Sequence, residues 1–367
     1  MARNAGPRLL LLSAYDAGSH RRWRKQLEGS QPDFEWTQLT LPPRHFRWRI
    51  RGNALSWLHE PKMQGAWDAL VATSMVDLAG IKAFQPHLAS TPMLLYMHEN
   101  QFAYPDSGRQ HTSAEPCMIN LYSAVAADRL LFNSAWNRDS FMCGVQRFLD
   151  RLPDGLPSGL LDAMQAKSQV LPVPIEDRLF VPRRAPLERG QPHLLWNHRW
   201  EYDKAPERLL NFLRRLRALE QPFRLSVVGE QFRRRPQAFA QIREEFGACV
   251  VHWGFMPHRA DYDELLQSAD VVLTTALHDF QGLSVLEAMA SGCYVLAPDR
   301  LAYPEYVPVE RQYRSDIARP AQEADNAAQC LMKLLRRPPA QPACPDGWRL
   351  TRLQPRYRQV LSELVKG

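Results

Sequence analysis

The chain has no long apolar run, no paired cysteines and no internal repeat, and each absence removes a class of protein. No apolar stretch approaches the roughly eighteen consecutive residues that a membrane-spanning helix needs, so no spanning segment is expected. The opening MARNAGPRLLLLSAYDAGS has an apolar core of only Leu9 to Leu12, with Asp16 close behind. That is too short for a secretory leader, and it reads as a buried first strand. The six cysteines, at 117, 143, 249, 293, 330 and 344, contain no Cys-x-x-Cys pair. This spacing argues against a zinc site and against a disulfide framework, and a reducing cytoplasm is the expected setting. Low complexity is confined to two proline-rich passages, 181–193 and 336–347.

What is present is an ordinary globular composition over 367 residues, 45% hydrophobic and 23% charged, enough for two domains with separate cores. The net charge is +7. An excess of Arg over Lys points to an anionic partner: a nucleotide, a polynucleotide or a membrane surface. The charge is densest in LPPRHFRWRIRGNALSW, where Arg44, Arg47, Arg49 and Arg51 alternate with His45, Phe46 and Trp48 and no acidic residue intervenes.

Short Leu/Val-rich runs alternate with helical patterns. Strands are expected at 8–13, 35–41, 68–74, 92–98, 129–134 and 169–174, then at 193–198, 223–230, 249–254, 270–275 and 293–298. Continuous apolar runs, in place of strict alternation, indicate parallel strands covered on both faces. One helix is expected with Ser19 as N-cap and Gly29 past its end. Another opens at Pro206 and lines up Leu209, Leu210, Leu213 and Leu216. The pattern predicts an α/β protein of two Rossmann-like domains, 1–182 and 190–336. The passage 181–193 would link them, and a terminal helix (346–367) would cross back onto the first. Ligands of such sheets sit at the carboxyl ends of strands, so two facing domains would hold a site in the cleft between them.

The most informative run is HWGFMPHRADYDELLQSADVVLTTALHDFQGLSVLEAMASGCYVLAPD, 252–299. Asp279 stands in a strand-end loop and Glu287 inside the following helix. Gly282 lets backbone approach a ligand, and the N–H groups of Leu283 and Ser284 open the helix, where a phosphate is favoured. This run resembles the E-x7-E signature of the retaining, nucleotide-sugar-dependent glycosyltransferases of family four, with Asp279 replacing the usual first Glu. NHRWEYDKAPERLL resembles that family's G-R-x4-K-G motif: Arg199 and Lys204 keep its step, while His198 and Ala205 replace the glycines. VVGEQF resembles the next loop of the same domain. The resemblance implies the GT-B fold and donor contacts from Gly18, Gly229, Glu230, Gly254, Phe255, Asp279, Gly282, Leu283 and Ser284. It also implies catalytic roles for His98, Arg199, Lys204 and Glu287. Alanine at Arg199 or Lys204 is expected to depress turnover while leaving the fold intact.

The first half narrows the resemblance. LSAYDAGSHRRWR, LTLPPRHFRWRIRGN, VATSMVDLA, YMHENQFAYP and NLYSAVAADRLLFNSAWNRDSF are similar to the glycosyltransferase-like domain-containing protein 1 family, over about residues 8–310. Its characterised activity is tRNA-queuosine mannosylation. The resemblance implies transfer of mannose from GDP-mannose to queuosine in a tRNA anticodon loop. It places Asn100, Gln101 and Asn133 near the acceptor nucleoside. The arginine strip then has a purpose: Phe46, Trp48 and His45 would stack on splayed bases while Arg44, Arg47, Arg49 and Arg51, extended by Arg21, Arg22 and Arg24, hold phosphates. No metal, no further cofactor and no membrane partner is expected. Alternatives are a sugar transferase with a lipid or polysaccharide acceptor, a non-catalytic RNA-binding protein, and a nucleotide-sugar epimerase.

Overall fold

A computed structural model describes residues 6–104, 114–152, 158–183, 185–232 and 235–366. Residue 184 of the proline-rich passage and Pro105 of the YMHENQFAYP string lie outside these. The chain divides into two compact units, Met1–Pro174 with Thr351–Gly367, and Ile175–Leu350.

In the first unit the elements run β1 (Arg8–Ser13), α1 (Gly18–Ser30), β2 (Glu35–Thr40), α2 (Phe46–Ser56), β3 (Ala69–Thr73), α3 (Leu78–Phe84), β4 (Met93–Met97), α4 (Glu115–Ala126), β5 (Arg129–Phe132), α5 (Ala135–Leu149), α6 (Leu160–Ala166) and β6 (Ser168–Val170). The second unit contains β7 (His193–Asn197), α7 (Pro206–Ala218), β8 (Arg224–Val228), α8 (Ala238–Phe246), β9 (Val250–Gly254), α9 (Arg259–Ser268), β10 (Val271–Leu273), α10 (Leu283–Ala290), β11 (Tyr294–Pro298), β12 (Gln312–Tyr313) and α11 (Pro320–Arg336). The terminal helix α12 (Leu350–Lys366) returns to the first unit.

Each unit is a Rossmann-like domain around a six-stranded parallel sheet, ordered β2-β1-β3-β4-β5-β6 in the first and β12-β11-β10-β7-β8-β9 in the second. The physical driver is the apolar run. All of β3, β4, β7 and β11 is buried, and Leu9 to Leu12 of β1 are fully so. Each such side chain removed from water contributes about 1.5–3 kcal/mol before chain entropy is set against it. Helix α12 is tied to the first unit through Tyr357, whose hydroxyl accepts from Trp23 Nε1 at 3.0 Å and lies 3.1 Å from the Tyr96 hydroxyl. No helix among the described residues is long and apolar enough to cross a membrane.

Two local expectations are corrected, the limits of α1 and the place where the units divide, and the arginine strip gains a structure that was not assigned from sequence. Helix α1 starts at Gly18, with Ala17 as its N-cap, and Gly29 lies in its last turn. The chain leaves β1 through a tight turn, Ala17 N–H to Tyr15 carbonyl at 2.8 Å, so Ser19 is already helical. The arginine strip is helix α2, entered through His45 in the left-handed region (φ 56°). Its inner face is Ile50, Asn53, Ala54 and, just past its end, Trp57, spaced as a helix requires. That face is hidden from pattern reading because Asn53 is polar. Buried, it donates to the Ile50 and Met75 carbonyls and accepts the Asp77 N–H. Finally, the division between units falls at 174/175, ahead of the passage expected to link them. That passage is a strap on the second unit: Val181 N–H meets the Ala290 carbonyl, and buried Arg183 pairs with Asp270 and caps the Ala269 carbonyl.

Candidate active site

The carboxyl ends of the strands in the second unit converge on one cluster. Past β7 the chain places His198, Arg199 and Lys204 in succession. Ala205 then takes a left-handed conformation (φ 50°), and Pro206 opens α7. Only glycine adopts that backbone freely, which explains why a glycine stands at this point in the motif that the sequence resembles.

Lys204 is buried. Its Nζ donates to the His278 carbonyl at 2.6 Å and lies 3.3 Å from Asp203 Oδ2 and 3.6 Å from Asp279 Oδ2. Asp279 Oδ1 accepts the Gly282 N–H at 3.0 Å, and Tyr303 donates to Oδ2 at 3.2 Å. Burial pushes the Asp279 carboxyl up, but Lys204, His198, His278 and the Gly282 N–H together hold it below the ordinary carboxylate range. It is therefore an anion in place, its charge met by a buried ammonium.

Gly282 (φ 76°) is required here, since a Cβ would fall 2.3 Å from the Tyr306 hydroxyl. It starts α10, so the N–H groups of Leu283 and Ser284 lie in a first turn that has no intrahelical acceptors. The Ser284 hydroxyl lies 3.5 Å from Nδ1 of His198. Burial and the charge of Lys204 push the His198 ring down to about 4, so it is neutral at physiological pH. Gly229 and Gly254 are packing requirements of the same rim: a Cβ on Gly229 would meet the His198 carbonyl at 1.8 Å, and Gly229 N–H donates to the Gly254 carbonyl. The Glu230 carbonyl accepts the Trp200 N–H, its side chain facing outward. Phe255 projects beyond, one of the most exposed large apolar residues. Arg199 is 47% exposed, pairs with Glu201 at 3.0 Å and acts on the same groups as Lys204.

Glu287, one turn into α10 beyond Ser284, has a partner that sequence reasoning missed. Arg259 of α9 donates to its Oε1 at 2.9 Å and Tyr262 to its Oε2 at 3.3 Å. Asn197 donates to the Tyr262 hydroxyl and to the Ser284 carbonyl, connecting Glu287 back to the end of β7. Tyr262 lies within an Asp-x-Asp string, Asp261–Tyr262–Asp263. Inside a helix these carboxylates do not face one way, and Asp263 is taken by Arg178 and Arg259. Among the described residues no group of three His, Cys, Asp or Glu side chains is arranged to hold a metal.

In the first unit His98 follows β4, buried, its ring stacked on His20 and flanked by Trp23 and Tyr96. Asn100 and Asn133, expected near an acceptor, are committed elsewhere. Asn100 donates to Asn137 Oδ1 and Ser140 Oγ and accepts the Ala103 N–H. Asn133 donates to the His98 carbonyl and accepts from Asn137. These amides fix the loop through bonds within the unit. Gln101 is half-buried, with its N–H on Asn120. Gly18 is exposed, with open space where a Cβ would stand.

The basic strip sorts by position on α2. Trp48 is 57% exposed and folds over Gly52, and Arg44, His45 and Arg47 are exposed beside it. Phe46 packs edge-on against Tyr15 at the margin of the core, and Arg49 is half-buried. Arg51 lies 3.5 Å from both Asp77 and Glu115. Arg21 and Arg24 are bound to buried Asp16, and Arg22 is half-buried, so α1 offers less free charge than its sequence promised.

Comparison with known proteins places this geometry. Residues 8–175 match the family model described as tRNA-queuosine alpha-mannosyltransferase N-terminal, and 191–337 match glycosyl transferases group 1. A Drosophila melanogaster protein, tRNA-queuosine alpha-mannosyltransferase, is 32% identical over 323 residues, 86% of this chain and 85% of that one. The chain belongs to the tRNA-queuosine alpha-mannosyltransferase family. Its fold is GT-B. Sucrose-phosphate synthase from Thermosynechococcus elongatus superposes with a TM-score of 0.68 at 14% identity, covering 98% of this chain and 99% of that one. HepE from Anabaena, solved with UDP and glucose, gives 0.63 at 13%, covering 97% and 100%. Within the family frame, Arg259, Tyr262, Asn197 and His20 are the side chains that sequence reading overlooked. Tyr262 and Asn197 stand at no signature position of the quoted strings, and only the packing of α9 on α10 brings Arg259 to Glu287.

Proposed function

We propose that the protein moves a mannosyl group from GDP-mannose, with retention, onto queuosine at the wobble position of tRNA-Asp, in the cytoplasm. The observation that carries the reading is the buried Lys204–Asp279 pair with half-exposed Arg199 beside it, on the strand-end rim of a chain of this family. The bond from the anomeric carbon to the diphosphate oxygen breaks, and one to an acceptor hydroxyl forms on the same face. The departing phosphate takes the hydroxyl proton, and GDP leaves. Charge on that diphosphate is the main demand. Arg199 and the first-turn N–H groups of α10 meet it directly, while Lys204 keeps Asp279 ionised and aimed at the sugar. Glu287, held by Arg259 and Tyr262, receives the ribose, and Gly254 and Phe255 frame the base. His98 orients the reacting groups. No metal is required by this division of labour. Trp48 stacks on an anticodon-loop base and Arg44 and Arg47 take phosphates.

The test is one incubation of GDP-mannose with purified queuosine-containing tRNA, followed by nucleoside mass analysis. The expected result is one hexose gained on queuosine. Donor consumption without that product, or transfer to a lipid acceptor only, overturns the reading.

A further inference from the structure

Behind His98 lies a buried stack that the transfer chemistry has not used. The ring of His20 lies on that of His98 at 4.3 Å between centroids, inclined by 23°. Trp23 closes on His98 edge-on at 4.9 Å, and Tyr96 at 4.7 Å. His20 Nε2 is 3.1 Å from Glu99 Oε2, and the other oxygen of Glu99 accepts from Ser74 Oγ at 2.8 Å. The backbone of His98 is fixed separately, by the Asn133 amide on its carbonyl. Its Nε2 is buried and has no hydrogen-bond partner among the described residues. An unpaired buried ring nitrogen carries a desolvation cost that an apolar ring would avoid.

We propose that the His20–Glu99 pair is a positioning device for His98: the stacked ring, clamped by the carboxylate, fixes the plane of the His98 imidazole and reserves its Nε2 for the reacting groups. This rests on the reading that His98 stands at the reacting centre. The electrostatics agree with the geometry. Burial drives the His20 ring down, but Glu99, with help from Asp16 and the Tyr15 carbonyl, raises it above its ordinary value. Burial, then the neighbouring His20, hold His98 well below. Other ionisable groups on the stack are Tyr96, Tyr357 behind it on α12, and Asp16, whose charge Arg21 and Arg24 offset. Of the two rings His20 is the one that protonates first, while His98 stays neutral and is able to exchange a hydrogen bond without a change of charge. His20 is a positioning residue, since it acts through His98.

The test uses the full chain with isotope-labelled histidine rings. In the wild type, His20 titrates above and His98 below the ordinary histidine value. Glu99→Gln keeps the shape and the Ser74 contact but removes the charge. His20 then titrates lower, and kcat falls about tenfold with the donor KM within about twofold, the split expected when a contact made in the transition state is lost. If the charged pair supports turnover, activity declines as pH rises through the His20 value, so the alkaline limb of kcat moves to lower pH in Glu99→Gln. His20→Gln, a second variant, abolishes that limb. An unchanged kcat profile in a folded variant, or wild-type spectra with His98 charged and His20 neutral at pH 7, overturns the proposal. The ring titration needs no substrate. Its failure leaves queuosine transfer standing, and failure of transfer with normal titration overturns the functional reading alone.

Discussion

Removing the buried ammonium of Lys204 has two consequences that the sequence did not separate. The residue is 7% exposed and compensates Asp203 at 3.3 Å and Asp279 at 3.6 Å. Lys204→Met keeps most of the volume and deletes the charge, leaving two carboxylates buried without their cation. Breaking a buried pair in this way costs about 3–5 kcal/mol. At roughly 2–4 °C per kcal/mol for a unit of this size, the second unit should melt about 6–20 °C lower. The burial of the side chain argues against the expectation that Lys204→Ala leaves the fold intact. Lys204→Met in an Asp279→Asn background should cost less, because one stranded charge has gone, and the difference measures the coupling. Residual folded protein should turn over about 100- to 1,000-fold more slowly, as for loss of one preorganised donor at a developing charge. Thermal unfolding read at the second unit's tryptophans, alongside single-turnover transfer, decides it. An unshifted transition for Lys204→Met would mean that the pair is not the electrostatic centre described.

Trp48→Ala should weaken tRNA binding by about 1–3 kcal/mol, the worth of one stacked base, without lowering the melting temperature. Phe46→Ala, against Tyr15 and the core, should lower stability by about 2 kcal/mol; filter binding and melting curves showing the reverse would reassign the strip. Acid should loosen the second unit before carboxylates titrate. Burial pushes the rings of His193 and His198 down to about 4, so the unfolded chain takes protons first. Stability present above pH 6.5 is then lost as pH falls toward 4, on the order of 3 kcal/mol for each ring. Urea midpoints that stay flat between pH 7 and 4 would contradict this.

The strands were legible because a parallel strand covered on both faces has to be a continuous apolar run, and those runs fall within a few residues of the observed boundaries. Helix α2 was not, because its buried face depends on Asn53, whose burial is tolerable only through partners 22–24 residues away. The same ambiguity hid the intramolecular partners of Asn100 and Asn133. An asparagine after a strand looks identical in sequence whether its amide meets a ligand or the next loop. The strand-end rim of the second unit was readable as far as it is local: a spacing of five from Arg199 to Lys204, and a glycine opening α10. The partners of Glu287 are tertiary, Arg259 lying 28 residues away on another helix. The strap at 181–193 misled because prolines mark irregular chain, whether it joins domains or lies along one.

The central claim is that the strand-end cations of the second unit hold a nucleoside diphosphate, and Arg199 is the member that can be removed without unsettling the core. Calorimetric titration of GDP into the wild type and into Arg199→Ala tests it. Binding to the wild type, and at least a tenfold weaker affinity in a variant with unchanged melting temperature, is the predicted result. Equal affinities, or no binding to the wild type, would contradict the account.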